Sequence, residues 1–344
     1  MSGSSLDGAD IAYCEFRRKK NTWTYKVPYT ITYDYSPEWR KKLKNAFNAS
    51  ANELAGLDVQ YGMFLGKILS VFMKESKIKP DFIASHGHTV FHNPEQHYTM
   101  QIGNGGQIAA RTKTAVINDF RSSDIARGGQ GAPLVPIGDK LLFGEYDFCL
   151  NLGGIANISF DDYTNQRKAF DIVPCNMALN MLAGEINQPY DENGDLAREG
   201  QIDINLLEEL NALDFYWMTG SKSLGREWFE KNILPVLTKS QASTRNKLAT
   251  FTEHIALQIG KVTSKFPGSS ILITGGGACN SYLIERISEA VSPEVFLPEK
   301  KLIDYKEAII FGFLGVLRYR SEVNTLRSVT GATSDSSGGV IWLP

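Results

Sequence analysis

Residues 149–176 constrain this chain more than any other stretch: CLNLGGIANISF, a polar turn, then KAFDIVPCN. Two apolar runs flank Gly153-Gly154, and the run after the turn ends on one carboxylate, Asp171. A Gly-Gly pair lets backbone approach a ligand closely, because no Cβ stands in the way. Amides presented in this way can point at phosphate oxygens, as in an anion-binding nest. An acid just past the end of a neighbouring strand reaches the same space. That pairing suits phosphoryl transfer, where the protein positions substrates and stabilises charge. A plain hairpin with a glycine turn accounts for the stretch equally well, so recurrence elsewhere decides between the two.

It does recur. Glycine-rich loops also fall at residues 3–8, 128–131 and 275–277. The last follows the apolar run Ser270 to Thr274 and leads into ACNSYLIERI, which reads as a helix. Strand, triple glycine and helix make a nucleotide-type turn, with the helix N-terminus offering amides to an anion or ribose. No GxxxxGK[ST] and no GxGxxG is present, so neither the P-loop nor the dinucleotide fingerprint is the route to a nucleotide. Four glycine loops on strand ends in one α/β chain point to a cleft that grips a polyphosphate.

Length and composition agree. The 344 residues allow two domains, and 42% hydrophobic with 22% charged residues is the balance of a soluble globular protein. A net charge of -2 gives no basic field for nucleic acid or an anionic membrane. The longest apolar candidate, Ala308 to Leu317, is too short for the roughly 20 residues of a bilayer span. Cys14, Cys149, Cys175 and Cys279 form no CxxC pair and read as free thiols in a reducing cytoplasm.

In chain order the pattern predicts a loop at the start, a strand over 11–16 and a second over 23–33. Helices follow over 37–50 and 58–77, the latter with Phe64, Ile68, Val71 and Phe72 at helical spacing. Residues 121–136 read as a loop, 136–143 as a helix, 191–200 as a polar surface loop. KSLGREWF reads as a loop carrying Arg226 onto a helix, and long helices are expected over 241–265 and 304–319. The expected domains are 1–135 with about 323–344, and 136–322.

His86, His88, His92 and His97 cluster, but no acid accompanies them at a ligand spacing. They read as loop histidines within reach of a sugar. Among the acids beside glycine loops, Asp7, Asp119, Asp124 and Asp171, the last follows the hairpin directly and is the candidate general base. Asp7 is the candidate for a Mg²⁺ shell, reached through water.

Several stretches carry a specific resemblance. They are MSGSSLDGAD at 1–10, SHGHTVFH at 85–92, QIGNGGQIAART at 101–112 and NDFRSSDIARGGQGAPLVP at 118–136. They continue with LNLGGIANIS at 150–159, FDIVPCNMALN at 170–180, GRE at 225–227, TGGGACN at 274–280 and SVTGA at 328–332. In this order over nearly the whole chain, they resemble the anhydro-N-acetylmuramic acid kinase family. The resemblance implies a two-domain, actin-like (RNase H-like) ATPase fold with a central nucleotide and sugar cleft. It implies water opening the 1,6-anhydro bridge of anhydro-N-acetylmuramic acid while the freed O6 takes the γ-phosphoryl of ATP. The product is N-acetylmuramic acid 6-phosphate, and the role is recycling of cell-wall sugar in the cytoplasm. ATP and Mg²⁺ are the implied cofactors and a homodimer the implied assembly.

Carried onto this sequence, Asp171 is the base. Gly3, Ser4, Ser5, Leu6, Asp7, Gly8, Ala9 and Asp10 form the ATP phosphate loop. Gly153, Gly154, Gly275, Gly276, Gly277 and Asn280 complete the nucleotide side. His88, Arg121, Asp124, Asn176 and Glu307 fall on the sugar side. Two departures stand out. Where the family often shows DTGPGN, this chain has Val173 and Cys175 in place of both glycines. Nor does a strand precede the first phosphate loop, as the family pattern expects. Two further readings stay open: an amino-sugar kinase of the same fold without ring opening, and a catalytically dead nucleotide- or sugar-binding member.

Overall fold

A computed structural model of the chain describes residues 1–2, 6–218, 220, 222–264, 266 and 268–344. Its strands are β1 (Gly8–Lys19), β2 (Thr22–Asp34), β3 (Ile83–Ala84), β4 (His88–Asn93), β5 (Tyr98–Ile102) and β6 (Val116–Asn118). They continue with β7 (Phe148–Leu152), β8 (Ile155–Asp161), β9 (Arg167–Pro174), β10 (Ser270–Thr274), β11 (Glu294–Phe296) and β12 (Val340–Trp342). The chain divides into two α/β units. One holds Met1–Leu142 with Tyr305–Pro344, and the other holds Phe143–Asp304.

In the first unit β1 and β2 form a long antiparallel hairpin, with the register shifting between Tyr13 and Glu15. β12, β6 and β3 make a second sheet, in which β3 runs parallel to β6 and β12 antiparallel to it. β4 and β5 pair as a separate hairpin. The helix Ala51–Ser76 organises the core beside them. Ser50 and Glu53 cap it reciprocally, so two otherwise unpaired N–H groups find acceptors. Leu54, Leu57, Tyr61, Leu65, Ile68 and Phe72 form its buried stripe.

The second unit is built on one five-stranded sheet in the order β11-β10-β7-β8-β9. β11, β10 and β7 are parallel, and β8 and β9 are added antiparallel by hairpins. Central β7, FCLNL, is buried along nearly its whole length, as a strand covered on both faces must be. The helix Thr244–Thr263 lays Leu248, Phe251, Ile255 and Ile259 into this core.

Several expectations are corrected. Gly8, Ala9 and Asp10 belong to strand β1 and are not loop, because they pair with Asp34, Tyr33 and Thr32. The helix expected from Asp58 starts at Ala51, since the capping box extends the stripe backwards. Residues 122–125 are one helical turn within the expected loop. Residues 191–200 contain a short helix, Asp195–Arg198. Asp191 is buried there, accepting from the N–H groups of Leu196 and Ala197. Asp171 sits inside β9 and not past its end.

Candidate active site

The second unit gathers its glycine turns at one edge of the sheet. Gly153-Gly154 join β7 to β8, and Gly275 follows β10, the strand parallel to β7 on its other side. Both turns therefore lie at the carboxyl ends of parallel strands, where ligands bind in open α/β sheets. Asn176 knits them together. Its N–H donates to Gly153 O at 3.1 Å and its Nδ2 to Leu152 O at 2.9 Å. Its Oδ1 lies 3.2 Å from where a Cβ on Gly277 would stand. Gly275 has φ +85, and an added Cβ would meet Leu152 backbone at 2.8 Å, so only glycine passes there without strain. Asn280 is the N-cap of the helix Ser281–Ala290, accepting from Leu283 N–H at 2.9 Å.

Asp171 lies on β9 opposite Asn157, three residues before Pro174, which pairs with Ile155 beside the Gly153-Gly154 turn. At about 3.3 Å per residue, this places its Cα roughly 10 Å along the sheet from that turn. The register shift between Ala156 and Asn157 falls opposite it, and such a bulge re-aims a side chain. The half-buried carboxylate accepts on Oδ2 from Leu224 N–H at 2.8 Å and from Ser223 Oγ at 3.2 Å. Among the described residues, Oδ1 takes part in no hydrogen bond. Desolvation pushes this carboxyl above its ordinary range, while the Leu224 and Ser223 donors pull it part of the way back. Ser223 and Leu224 carry no sequence signal of this role. KSLGREWF reads only as a loop.

Cys175 is fully buried, and burial pushes its thiol up to about 12, so it is an inert packing group beside Asn176.

The first unit brings a separate set together. Gly3, Ser4 and Ser5 of the expected phosphate loop lie outside the described residues. Residues 1–2 run antiparallel to the start of β1: Ser2 bridges Ala9, and Asp10 N–H donates to Met1 O at 2.8 Å. Leu6 takes φ 58, Asp7 is exposed, and Gly8 faces Tyr33 O where a Cβ would come within 2.6 Å. Asp10 Oδ1 accepts from Thr32 Oγ1 at 2.6 Å, whose hydroxyl lies 3.1 Å from Tyr305 OH.

Arg121 donates through Nη1 to Gly131 O at 2.6 Å and through Nη2 to His86 Nε2 at 3.1 Å. This makes His86 Nε2 an acceptor. The ring stacks on Phe311 with centroids 4.3 Å apart. Burial first, and the Arg121 charge next, hold His86 well below its ordinary range, so it is neutral. Arg121 Nε is buried without an acceptor. Asp124 is fully buried and spends both oxygens on the fold: Oδ2 accepts from Gly131 N–H at 2.8 Å and Oδ1 from Thr330 Oγ1 at 2.8 Å. His88 is buried with Nδ1 3.4 Å from Ser2 Oγ, and burial lowers its pKa.

Glu307 is on the helix Lys300–Tyr319. The residue keeps solvent-accessible surface, and desolvation raises its carboxyl above the ordinary range. The Arg121 charge opposes that rise.

No group of three or more His, Cys, Asp or Glu among the described residues is arranged to hold a metal. A divalent cation here would depend on one or two carboxylates completed by phosphates and water, which is how Mg²⁺ is commonly bound. Exposed Asp7 fits that requirement, with hard oxygen donors and room for water.

The family model described as anhydro-N-acetylmuramic acid kinase matches residues 1–344. Among curated proteins, the anhydro-N-acetylmuramic acid kinase of Sulfurovum sp. (strain NBC37-1) is 32% identical over 357 residues, covering 100% of this chain and 98% of that protein. The protein of the same name from Francisella tularensis subsp. novicida (strain U112) is 33% identical, covering 97% and 95%. That from Bacillus cereus (strain 03BB102) is 30% identical, covering 100% and 98%. Solved structures match at a distance. The activator of the 2-hydroxyisocaproyl-CoA dehydratase from Clostridium difficile, with bound ADPNP, shares 14% identity. Its TM-score is 0.34, over 59% of this chain and 79% of that one.

Proposed function

The chain belongs to the anhydro-N-acetylmuramic acid kinase family, and from that premise we propose that it couples hydrolytic opening of the 1,6-anhydro ring to phosphorylation of O6. The products are N-acetylmuramic acid 6-phosphate and ADP. The observation that carries this reading is the half-buried Asp171 carboxylate, whose Oδ1 is unengaged among the described residues.

A general base must sit within reach of its proton and have a pKa suited to the working pH. Asp171 takes a proton from water as the water oxygen bonds to C1. The C1–O6 bond breaks, O6 bonds to the γ-phosphorus, and ADP leaves. The reaction is thus one displacement at carbon feeding another at phosphorus, with orientation supplying much of the acceleration. Backbone amides of the Gly153-Gly154 and Gly275 to Gly277 turns support phosphate binding. Asp7 would hold Mg²⁺ through water, which would offset phosphate charge. Glu307, Arg121, His88 and Asn176 orient the sugar. Asp124 contributes by ordering the loop that carries Arg121. Turnover in the cytoplasm on a sugar recovered from the cell wall, by a homodimer, completes the proposal.

The test is the reaction of intact anhydro-N-acetylmuramic acid with ATP in ¹⁸O water. One ¹⁸O at C1 of the 6-phosphate, with ADP formed in equal amount, is expected. A 6-phosphate carrying no label at C1 would sink ring opening by water.

A further inference from the structure

Asp171 is held by three consecutive residues from outside its sheet. Lys222 O accepts from Asp171 N–H at 3.0 Å. Ser223 Oγ and Leu224 N–H both donate to Oδ2, at 3.2 and 2.8 Å. The segment is itself anchored on either side. Lys222 Nζ donates to Phe215 O at 3.1 Å and lies 4.4 Å from the Phe215 ring centroid, while the Leu224 side chain is buried.

We propose that Ser223, with the Leu224 amide, is a positioning element for the base: together they fix Oδ2 and leave Oδ1 as the one oxygen turned to the attacking water. The inference rests on Asp171 being the base. A free carboxylate offers two equivalent oxygens and rotates about χ2, a soft torsion with broad wells. Two donors on one oxygen remove that equivalence and stop the rotation. They favour the ionised form, because a carboxylate oxygen accepts both bonds more strongly than the neutral carbonyl oxygen that Oδ2 becomes once a proton sits on Oδ1. The clamp therefore does two jobs. It orients the base, and it opposes the desolvation that pushes this carboxyl up.

The two jobs have a signature that simple loop support lacks. Removing one donor weakens the ionised form, so the base protonates at higher pH. Substrate contacts are untouched, so KM holds while kcat falls.

The experiment measures pH profiles of kcat/KM and kcat for the wild type, Ser223→Ala, Ser223→Thr and Asp171→Asn. In Ser223→Ala the acidic limb is expected to move up by about 0.5–1 pH unit, since a hydrogen bond to a charged group at a partly exposed site shifts ionisation by about that amount. Its kcat is expected to fall roughly 3- to 30-fold, with little change in KM. Ser223→Thr, which keeps the hydroxyl, restores limb and rate. An acidic limb that stays in place in Ser223→Ala, or a shift that Ser223→Thr does not restore, overturns the positioning role. Asp171→Asn turning over like wild type would overturn the base assignment itself, a separate failure that the same data set identifies.

Discussion

A Cβ placed on Gly275 would fall 2.6 Å from Asn151 Oδ1, so the end of β10 closes on the end of β7 with no room for a side chain. Leu152 N and C, at 2.9 and 2.8 Å, crowd the same point, and backbone cannot step aside as a flexible side chain can. With φ +85, Gly275→Ala is expected to cost about 1–3 kcal/mol in urea melts. Displacement of the turn should raise KM for ATP by roughly tenfold or more. An unchanged KM would separate this turn from nucleotide binding.

Asp171→Asn removes the proton acceptor but keeps the shape of the side chain. Loss of general base catalysis predicts a kcat lower by about 10²–10⁴-fold. Stability should hold or rise slightly, because desolvation already disfavours the charged carboxylate. A kcat within a few-fold of wild type, beside an unchanged melting curve, would remove Asp171 from the chemistry.

Asp124 and Thr330 meet at 2.8 Å across 206 positions of sequence, both buried. Asp124→Ala also strands the Gly131 N–H, and should destabilise the fold by about 2–4 kcal/mol. Thr330→Val removes one donor and should cost about 1 kcal/mol, and the double variant should fall short of the sum. Additive losses in denaturant melts would show that the two groups do not act as a pair.

His254 is buried between Asn211 Oδ1 at 2.8 Å and Tyr216 OH at 3.0 Å, and burial pushes its pKa down to about 3. The unfolded chain protonates this ring near pH 6.5, the folded chain only near 3. Between those values the unfolded state binds the extra proton, so stability falls as the solution is acidified below about 6.5. From pH 8 to pH 5 the loss attributable to His254 is roughly 2 kcal/mol. His254→Gln should be less stable at pH 8 yet lose less between pH 8 and pH 5. Parallel pH dependences for the two proteins in urea titrations would contradict this.

Asn324 is buried and ties three backbone groups. Nδ2 donates to Leu314 O at 3.1 Å and Gly338 O at 2.8 Å, while Oδ1 accepts from Gly338 N–H at 2.7 Å. Asn324→Ala leaves those groups without partners and should cost about 3 kcal/mol. It should also expose the segment from Ser336 onward to limited proteolysis before the rest of the chain. Cleavage elsewhere first would show that β12 is held by other means.

Strand ends were legible in the sequence where an apolar run stops on glycine, as at Leu152 and Thr274, because glycine both ends a strand and admits close backbone approach. Asp171 was legible as the acid that follows the Gly153-Gly154 hairpin. Its clamp was not, since Ser223 and Leu224 lie 52 and 53 positions away and their loop composition is unremarked. Asp191 reads as one more polar surface residue, yet it is a buried acceptor for two amides. Polarity alone does not distinguish a solvated carboxylate from one whose solvent has been replaced by N–H groups. The partners of Asp124 were hidden for the same reason: composition records that a group can accept, and only the fold supplies the donor.

β12, a three-residue strand within the chain's last forty residues, pairs with β6 and so belongs to the same unit as β1. Residues 143–304 are contiguous, while the first unit is interrupted by them. On the ribosome the contiguous second unit is therefore complete before the first. The second unit emerges whole and can fold while the nascent first unit still lacks an edge of its sheet. Until Trp342 clears the exit tunnel, Val116 to Asn118 present an unpaired strand edge, a state open to chaperone capture or mispairing.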